Sequence, residues 1–135
     1  MIVRLPFPAP ALFPNRKHAD HWTAAHAAKV KARDDAFYAT KQAMGPAKTA
    51  HSEFAGTDGY IPLSVLFVTP TRVRRDWDGL AGAFKPMQDG IAQALNIDDS
   101  RFKPVQVDWV DGARPGAVVV GIGVAINQLH GEVLE

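Results

Sequence analysis

Residues 60–69, YIPLSVLFVT, constrain the fold more than any other segment of the sequence. The stretch is rich in β-branched and aromatic residues, which favour a strand. It is apolar on nearly both faces, a pattern typical of an internal strand covered on both sides. Pro70 then ends the strand, because proline cannot donate a ladder hydrogen bond. The sequence therefore predicts a sheet built around this segment.

Two helices are predicted, over about residues 19–44 and 79–95. The first carries alanines at three- and four-residue spacing, which predicts close approach of another backbone. The second has one apolar face and ends at Asn96, a residue that tolerates the left-handed cap conformation. The alanines are Ala25, Ala28, Ala32, Ala36, Ala39 and Ala43, and the apolar face is Leu80, Phe84, Met87, Ile91 and Leu95.

Three further strands are predicted, over residues 2–7, 105–110 and 117–126. The element order is then β-α-β-α-β-β. This order predicts the α+β class, with a small mixed β-sheet and two main helices packed on it. No linker or internal repeat divides the sequence, so residues 1–135 are expected to form a single domain.

Composition excludes several kinds of site. The chain has no cysteine, which rules out disulfides, thiolate zinc sites and cysteine nucleophiles. The sequence has no run of about 18 apolar residues, so no membrane span is expected. Prolines interrupt the apolar N-terminus, which makes it a poor signal-peptide core. We therefore expect a soluble, cytoplasmic protein.

Basic residues are segregated along the sequence. The net charge is +1, yet residues 1–104 carry 14 Lys or Arg against 10 Asp or Glu, and residues 105–135 carry 1 against 4. A local basic excess fits a surface that faces a polyanion. A solvated surface with uneven charge explains the same distribution equally well.

The segment RVRRDWDGL joins the internal strand to the second helix. Asp76 and Asp78 are one residue apart in an expected extended loop, so both side chains can point to one side. Asp78 is expected at the helix N-cap, where a carboxylate accepts unpaired backbone N–H groups. Lys85 follows seven residues later, about two turns on, and hence lies on nearly the same helix face.

A metal site here needs a third carboxylate, and Asp99 is the candidate. If the chain folds back after the second helix, Asp99 can join Asp76 and Asp78. Three carboxylates without a soft ligand describe a hard-cation site for Mg²⁺ or Mn²⁺. Lys85 would then stabilise charge on a phosphate. The arginines that would dock the phosphates on either side are Arg72, Arg74 and Arg75.

Simpler explanations compete with this constellation. A lone Asp-x-Asp is commonly a cap followed by a loop, and Asp98-Asp99 is commonly a turn. An EF-hand fits poorly, because its glycine and glutamate positions are not matched. The histidines His18, His21 and His26 match no metal spacing and are expected to face solvent or DNA. The tryptophans Trp22, Trp77 and Trp109 are expected in the core or at its rim, with a DNA contact as the alternative for Trp77.

The stretch RRDWDGLAGAFKPMQDGIAQALNIDDS resembles the core of the RusA family of Holliday junction resolvases, which is also common in phages. The shared pattern is a basic run, Asp-x-Asp, a lysine followed by proline, a helix segment and a closing Asp-Asp. The N-terminal LPFP…PNRKHADHW also resembles the opening of that family. The resemblance spans about residues 3–110.

This resemblance implies a homodimeric, Mg²⁺-dependent endonuclease, with Mn²⁺ as a substitute, in a bacterial or phage-infected cell. Such enzymes resolve four-way DNA junctions by paired symmetric nicks in DNA recombination and repair. The implied metal ligands are Asp76, Asp78 and Asp99, and the implied catalytic lysine is Lys85. The implied DNA contacts are Arg16, Lys17, Arg72, Arg74 and Arg75.

The sequence departs from the family pattern at Gly79, where the family usually has asparagine. It also places Lys85 further from Asp78 than some relatives do. Two other functions therefore stay open: a branched-DNA-binding protein that does not cleave, and a Mg²⁺-dependent phosphohydrolase of small substrates. Metal-dependent cutting distinguishes the first, and a preference for branched DNA over nucleotides distinguishes the second.

Overall fold

The computed structural model describes residues 1–13, 22–46, 54 and 58–134. The α+β class is confirmed, with a four-stranded mixed sheet and three helices among the described residues. The strands are β1 (Ile2–Leu5), β2 (Ile61–Thr69), β3 (Phe102–Asp111) and β4 (Ala117–Ile122), and the helices are α1 (Trp22–Met44), α2 (Trp77–Leu95) and α3 (Ile126–Leu134).

The sheet has the order β1-β4-β2-β3. The predicted internal strand is confirmed, since β2 lies between β4, which is antiparallel to it, and β3, which is parallel. Leu63, Val65, Leu66 and Phe67 are fully buried. Burial on both faces explains why this segment is apolar throughout. Strand β3 forms one edge of the sheet.

Helices cover both faces of the sheet. Alternate side chains of a strand point to opposite faces, so Phe67 enters the main core with Leu80 and Phe84 from α2. Leu66 faces the other way and packs with Leu129 from α3. The two main helices thus share one face, and the short C-terminal helix covers the other.

Helices α1 and α2 pack through small residues. A Cβ atom at Gly90 would lie 2.1 Å from the carbonyl oxygen of Arg33, a distance that no side chain tolerates. Ala32 and Ala36 are buried at this contact, whereas Ala43 is exposed. The close approach predicted from the alanine stripe is therefore confirmed for the middle of the stripe, at Ala32 and Ala36, beside the close contact of Gly90 with the α1 backbone.

Several predicted boundaries are wrong. Strand β1 ends at Leu5 and not at residue 7, and β3 begins at Phe102 and not at residue 105. Helix α2 begins at Trp77, two residues before the predicted start. The last strand ends at Ile122 and not at residue 126, because Gly123 adopts a positive φ of 71° and turns the chain. Val124 and Ile126 pack in the smaller core, on the face of the sheet that α3 covers. The sequence pattern predicts both residues as part of the last strand. In the structure Val124 lies in a loop and Ile126 begins a third helix that was not predicted.

The β2-α2-β3 unit fixes the direction of α2. Ile61 lies opposite Phe102 and Thr69 opposite Asp111, so β2 and β3 run parallel. Helix α2 must return along the strands in the opposite direction, from the Thr69 end to the Ile61 end. It ends at Asn96, whose φ of 58° and ψ of 47° confirm the predicted left-handed cap.

None of the described helices combines the length and apolar character needed to cross a lipid bilayer.

Candidate functional site

Asp76 caps helix α2. Its backbone is extended, with φ −132° and ψ 157°, and its Oδ1 accepts the backbone N–H of Gly79 at 2.6 Å. A capping residue needs this non-helical backbone while its side chain reaches into the first turn. The prediction that Asp78 is the N-cap is therefore wrong, since Asp78 lies within the first turn. The cap uses one of the two carboxylate oxygens of Asp76.

Glycine at position 79 permits this tight cap. A Cβ atom there would lie 2.8 Å from Asp76 Oδ1. Any larger residue would push the carboxylate away from the helix N-terminus. The departure from the asparagine of the RusA pattern thus has a structural consequence, because Gly79 lets the Asp76 carboxylate approach the backbone closely.

Asp78 and Lys85 line the same groove, as their seven-residue spacing predicts. Both residues are exposed. The groove lies between α2 and the edge strand β3 and has a volume of about 640 Å³. Gln88 also lines it, together with the apolar residues Phe84, Phe102, Val105 and Val107. A carboxylate and an ammonium group therefore face one open, partly apolar space.

The second pair of aspartates follows the other end of α2. Asp98 accepts the backbone N–H of Ser100 at 3.0 Å and caps the short 3-10 turn Asp99–Arg101. This hydrogen bond is the main reason why the pKa of the Asp98 carboxyl lies below its ordinary value. Asp99 is half-buried at the start of the turn. The turn predicted as the simpler explanation of Asp98-Asp99 is confirmed.

The two aspartate pairs lie at opposite ends of α2. The helix has 19 residues and is about 28 Å long at ~1.5 Å per residue. Asp76 and Asp78 lie at its start, and Asp99 lies beyond its end. The expected fold-back of Asp99 onto Asp78 within one chain does not occur, because β3 runs parallel to β2 and so begins at the far end of α2.

A complete metal site is not formed within the described part of the chain. No three His, Asp or Glu side chains come together there in a group that could hold a metal ion. The oxygen donors of Asp76 and Asp78 suit Mg²⁺ chemically. Magnesium commonly binds through one or two carboxylates and keeps waters for substrate phosphates to replace. The pair therefore fits two of the three predicted ligands.

The three arginines of the β2-α2 loop differ in their environment. Arg72 and Arg74 are exposed, as a phosphate-docking role requires. Arg75 is half-buried, and its guanidinium carbon lies 5.1 Å from the ring centre of Phe7 and 5.6 Å from that of Phe13. Its planar group stacks on aromatic faces, an arrangement that lysine does not reproduce.

A second groove, between α1 and α2, contains two basic residues that the sequence analysis missed, Lys29 and Arg33. It has a volume of about 360 Å³ and is also lined by His26 from α1 and by Lys85 and Asp89 from α2. The basic residues of α1 are spaced three and four apart, which places them on one helix face. This spacing is the sequence signal for the groove, and it lies beside the alanine stripe, which is a signal for helix packing.

Several predicted residues lie outside the part of the chain that the structure describes. They are Arg16, Lys17, His18, His21 and the side chain of Trp22. His26 is exposed, as expected of a residue that faces solvent or a ligand. Trp77 is 63% exposed between the two candidate ligands Asp76 and Asp78, whereas Trp109 packs half-buried against the main core.

Comparison with known proteins gives one informative match. The chain is 38% identical to an "Uncharacterized protein" of Xylella fastidiosa over 120 residues, which cover 87% of this chain and 72% of the relative. No protein-family model matches the sequence.

Proposed function

We propose that this chain, which belongs to the same family as the Xylella fastidiosa protein, is a Mg²⁺-dependent endonuclease of branched DNA such as Holliday junctions. One observation carries the proposal. Asp78 and Lys85 share an exposed groove directly after an arginine-bearing loop. The resemblance of the same segment to the RusA resolvases supports it, because two of the four catalytic residues that this resemblance names, Asp78 and Lys85, line the groove.

The chemistry adds water across one P–O bond of the DNA backbone. The water oxygen bonds to phosphorus, and the ester oxygen leaves with a proton. When bound to Asp76 and Asp78, Mg²⁺ would supply an activated water and offset the growing negative charge. Lys85 would stabilise the charge on the phosphate oxygens from the same groove. Arg72 and Arg74 would hold the flanking phosphates.

A second copy of the chain supplies the missing third carboxylate. Within one chain, the length of α2 separates Asp99 from Asp78. In an antiparallel, two-fold pairing of β3 with a copy of itself, the start of one strand lies against the end of the other. The partner subunit's Asp99 would then approach Asp76 and Asp78, and each dimer would contain two equivalent sites. Two sites related by a two-fold axis suit paired nicks in a four-way junction.

The β3 edge has features that favour such pairing. The Gly112 N–H donates to the Thr69 carbonyl oxygen, so backbone groups of the alternate residues Val105 and Val107 point away from β2. The side chain of Val105 is 48% exposed, and both valines line the apolar part of the groove. An unpaired edge with exposed apolar residues is a template for another strand.

The path of the DNA would cross the basic groove between the helices. Lys29 and Arg33 line the wall that faces Lys85. Their cations would add to the positive charge that Lys85 places in this groove. Contacts of this kind supply affinity for the phosphate backbone and little sequence discrimination.

The test compares a labelled synthetic four-way junction with a linear duplex of matching sequence, each with Mg²⁺ or EDTA. We expect symmetric nicks in the junction alone and only with Mg²⁺. Tight junction binding without nicks would instead support the architectural function, and Gly79→Asn would then test whether the family's asparagine restores cleavage. Hydrolysis of nucleotides in preference to the junction would support the small-substrate phosphohydrolase.

A further inference from the structure

An open pocket of about 560 Å³ lies beside the start of α2. It is formed by three segments that meet at one end of the sheet: the N-terminal arm, the β2-α2 loop and the turn between β3 and β4. Its lining residues are Phe7, Pro8, Ala9, Pro10, Phe13, Pro70, Arg75 and Pro115. The volume lies in the range of ~300–1,000 Å³ that is usual for small-molecule sites.

Arg75 is the polar group of this pocket, and its donors are incompletely used. Its Nη2 donates to Thr71 Oγ1 at a long 3.4 Å. Its Nε is buried and has no hydrogen-bond partner among the residues that the structure describes, although a buried donor without a partner is costly. A guanidinium carries five N–H donors in one plane. The pocket therefore holds a planar cation with donor capacity to spare.

The aromatic part of the pocket is rigidly supported. Phe7 and Phe13 stack with ring centres 6.0 Å apart. Phe7 also meets the fully buried Phe67 edge to face at 6.2 Å, and Phe67 meets Phe84 at 6.5 Å. This chain of rings anchors the pocket in the main core, so a ligand would find its stacking surface already formed.

The chemistry of the lining favours a nucleobase over a free phosphate. Proline, alanine and phenylalanine side chains offer no hydrogen bonds, so most of the pocket would leave a phosphate oxygen unsatisfied. A base presents an apolar face for stacking and acceptor atoms at its edge for the guanidinium. Stacking of unpaired bases on aromatic and arginine side chains is a common mode of nucleic-acid binding.

The pocket is also adjacent to the candidate metal ligands. Arg75 and Asp76 are consecutive, with Cα atoms about 3.8 Å apart. A base held by Arg75 would thus belong to a nucleotide at or next to the phosphate held by Asp76 and Asp78. The cost of unstacking is least where a base is already unpaired or mismatched, as at a branch point.

We propose that the Arg75 pocket receives one unstacked DNA base next to the cleaved phosphate and thereby contributes to the choice of branched over linear DNA. This inference rests on the proposed function and assigns that site a second subsite. It also distinguishes Arg75, which binds a base, from Arg74, which is exposed and binds the backbone.

The test measures the affinity of the full chain for four-way junctions in EDTA, where no cleavage occurs. In each junction one nucleotide near the crossover is replaced by an abasic site. We expect one position at which loss of the base weakens binding about tenfold. That penalty should disappear in Arg75→Lys, which keeps the positive charge but removes the planar guanidinium group. It should also disappear in Phe13→Leu, which keeps an apolar side chain but removes the aromatic ring.

Arg74→Lys is the matched control and should retain the abasic penalty. A penalty below about twofold at every position, or one that persists unchanged in Arg75→Lys and Phe13→Leu, would overturn the inference. Parallel cleavage of the intact junction with Mg²⁺ separates the two proposals. Cleavage without a base-specific penalty refutes the pocket alone, and failure both to bind and to cleave the junction refutes the endonuclease and the pocket together.

Discussion

A pair of aspartates lies at each end of α2, and in each pair one aspartate caps a helical turn. The surroundings of the two pairs differ. At the start, Asp76 caps the helix and Asp78 occupies the first turn. Beyond the end, Asp98 caps a 3-10 turn and Asp99 occupies its first position. Asp78 faces an open groove with Lys85, whereas Asp99 is half-buried. Local sequence therefore determines which aspartate becomes a cap, and topology determines which of the remaining carboxylates can meet.

The largest effect should come from removing a ligand at either end. Asp78→Asn and Asp99→Asn should each lower Mg²⁺-dependent junction cleavage by about 100-fold or more, because each removes a carboxylate charge from the proposed metal site. Asp78 is exposed, so its loss should change the free energy of unfolding by only about 0.5 kcal/mol. Cleavage rates and denaturant unfolding measure the two quantities separately.

An effect of Asp78→Asn without one of Asp99→Asn would confine the active site to the start of α2. Both variants retaining wild-type cleavage would show that neither carboxylate binds the metal.

The next largest effect should come from separating the two copies. Val105→Asp places a charge on the outer edge of β3 and should convert the proposed dimer to a monomer with a comparable loss of cleavage. Light scattering gives the mass, and the junction assay gives the rate. Gln106→Asp is the matched control, because residue 106 is exposed on the opposite face of the same strand. A Val105→Asp protein that remains a fully active dimer would place the interface elsewhere.

A smaller effect is expected at Lys85, which lies near the middle of α2. Lys85→Met should lower the cleavage rate about 10- to 100-fold while junction affinity changes little, because the charge acts mainly in the transition state. Lys31→Met is the control: Lys31 pairs with Asp35 at 2.6 Å on α1. Single-turnover rates and junction binding in EDTA separate the two effects. Equal losses of affinity and rate would make Lys85 a simple DNA contact.

The smallest effect is expected at Asp98. Asp98→Ala removes the cap of the 3-10 turn and should change cleavage by about twofold or less. The pKa of Asp98 is lowered from 3.8 in the folded state, so its contribution to stability is present above that pH and is lost as the pH falls through the lower folded value. The difference in unfolding midpoint between wild type and Asp98→Ala should therefore shrink in acid.

The sequence predicted the elements with strong local signals. The apolar run of β2 predicts a strand buried on both faces, and the helical periodicity of residues 80–95 predicts the apolar face of α2. The cap follows because asparagine, here Asn96, tolerates the left-handed backbone conformation. The third helix was missed because Val124 and Ile126 continue the alternation of β4, and only the positive φ of Gly123 interrupts it. Such a turn is set by tertiary packing more than by its own few residues.

The candidate site was predictable only in part. The spacing of Asp78 and Lys85 places both on one face whatever the helix packs against, so their shared groove could be predicted. The position of Asp99 depends on the direction of β3 relative to β2, which no local pattern encodes. The role of Arg75 likewise depends on Phe7 and Phe13, which are distant in sequence and reach it through the fold.

The most direct test of the central claim combines the two ends of α2 in one mixed dimer. Asp78→Asn and Asp99→Asn chains, carrying different tags, are co-expressed and the doubly tagged dimer is isolated. A site shared between copies leaves one of two sites intact, so we expect Mg²⁺-dependent nicking at about half the wild-type rate, with single nicks in place of paired ones. A doubly tagged dimer as inactive as its parents would contradict the shared site.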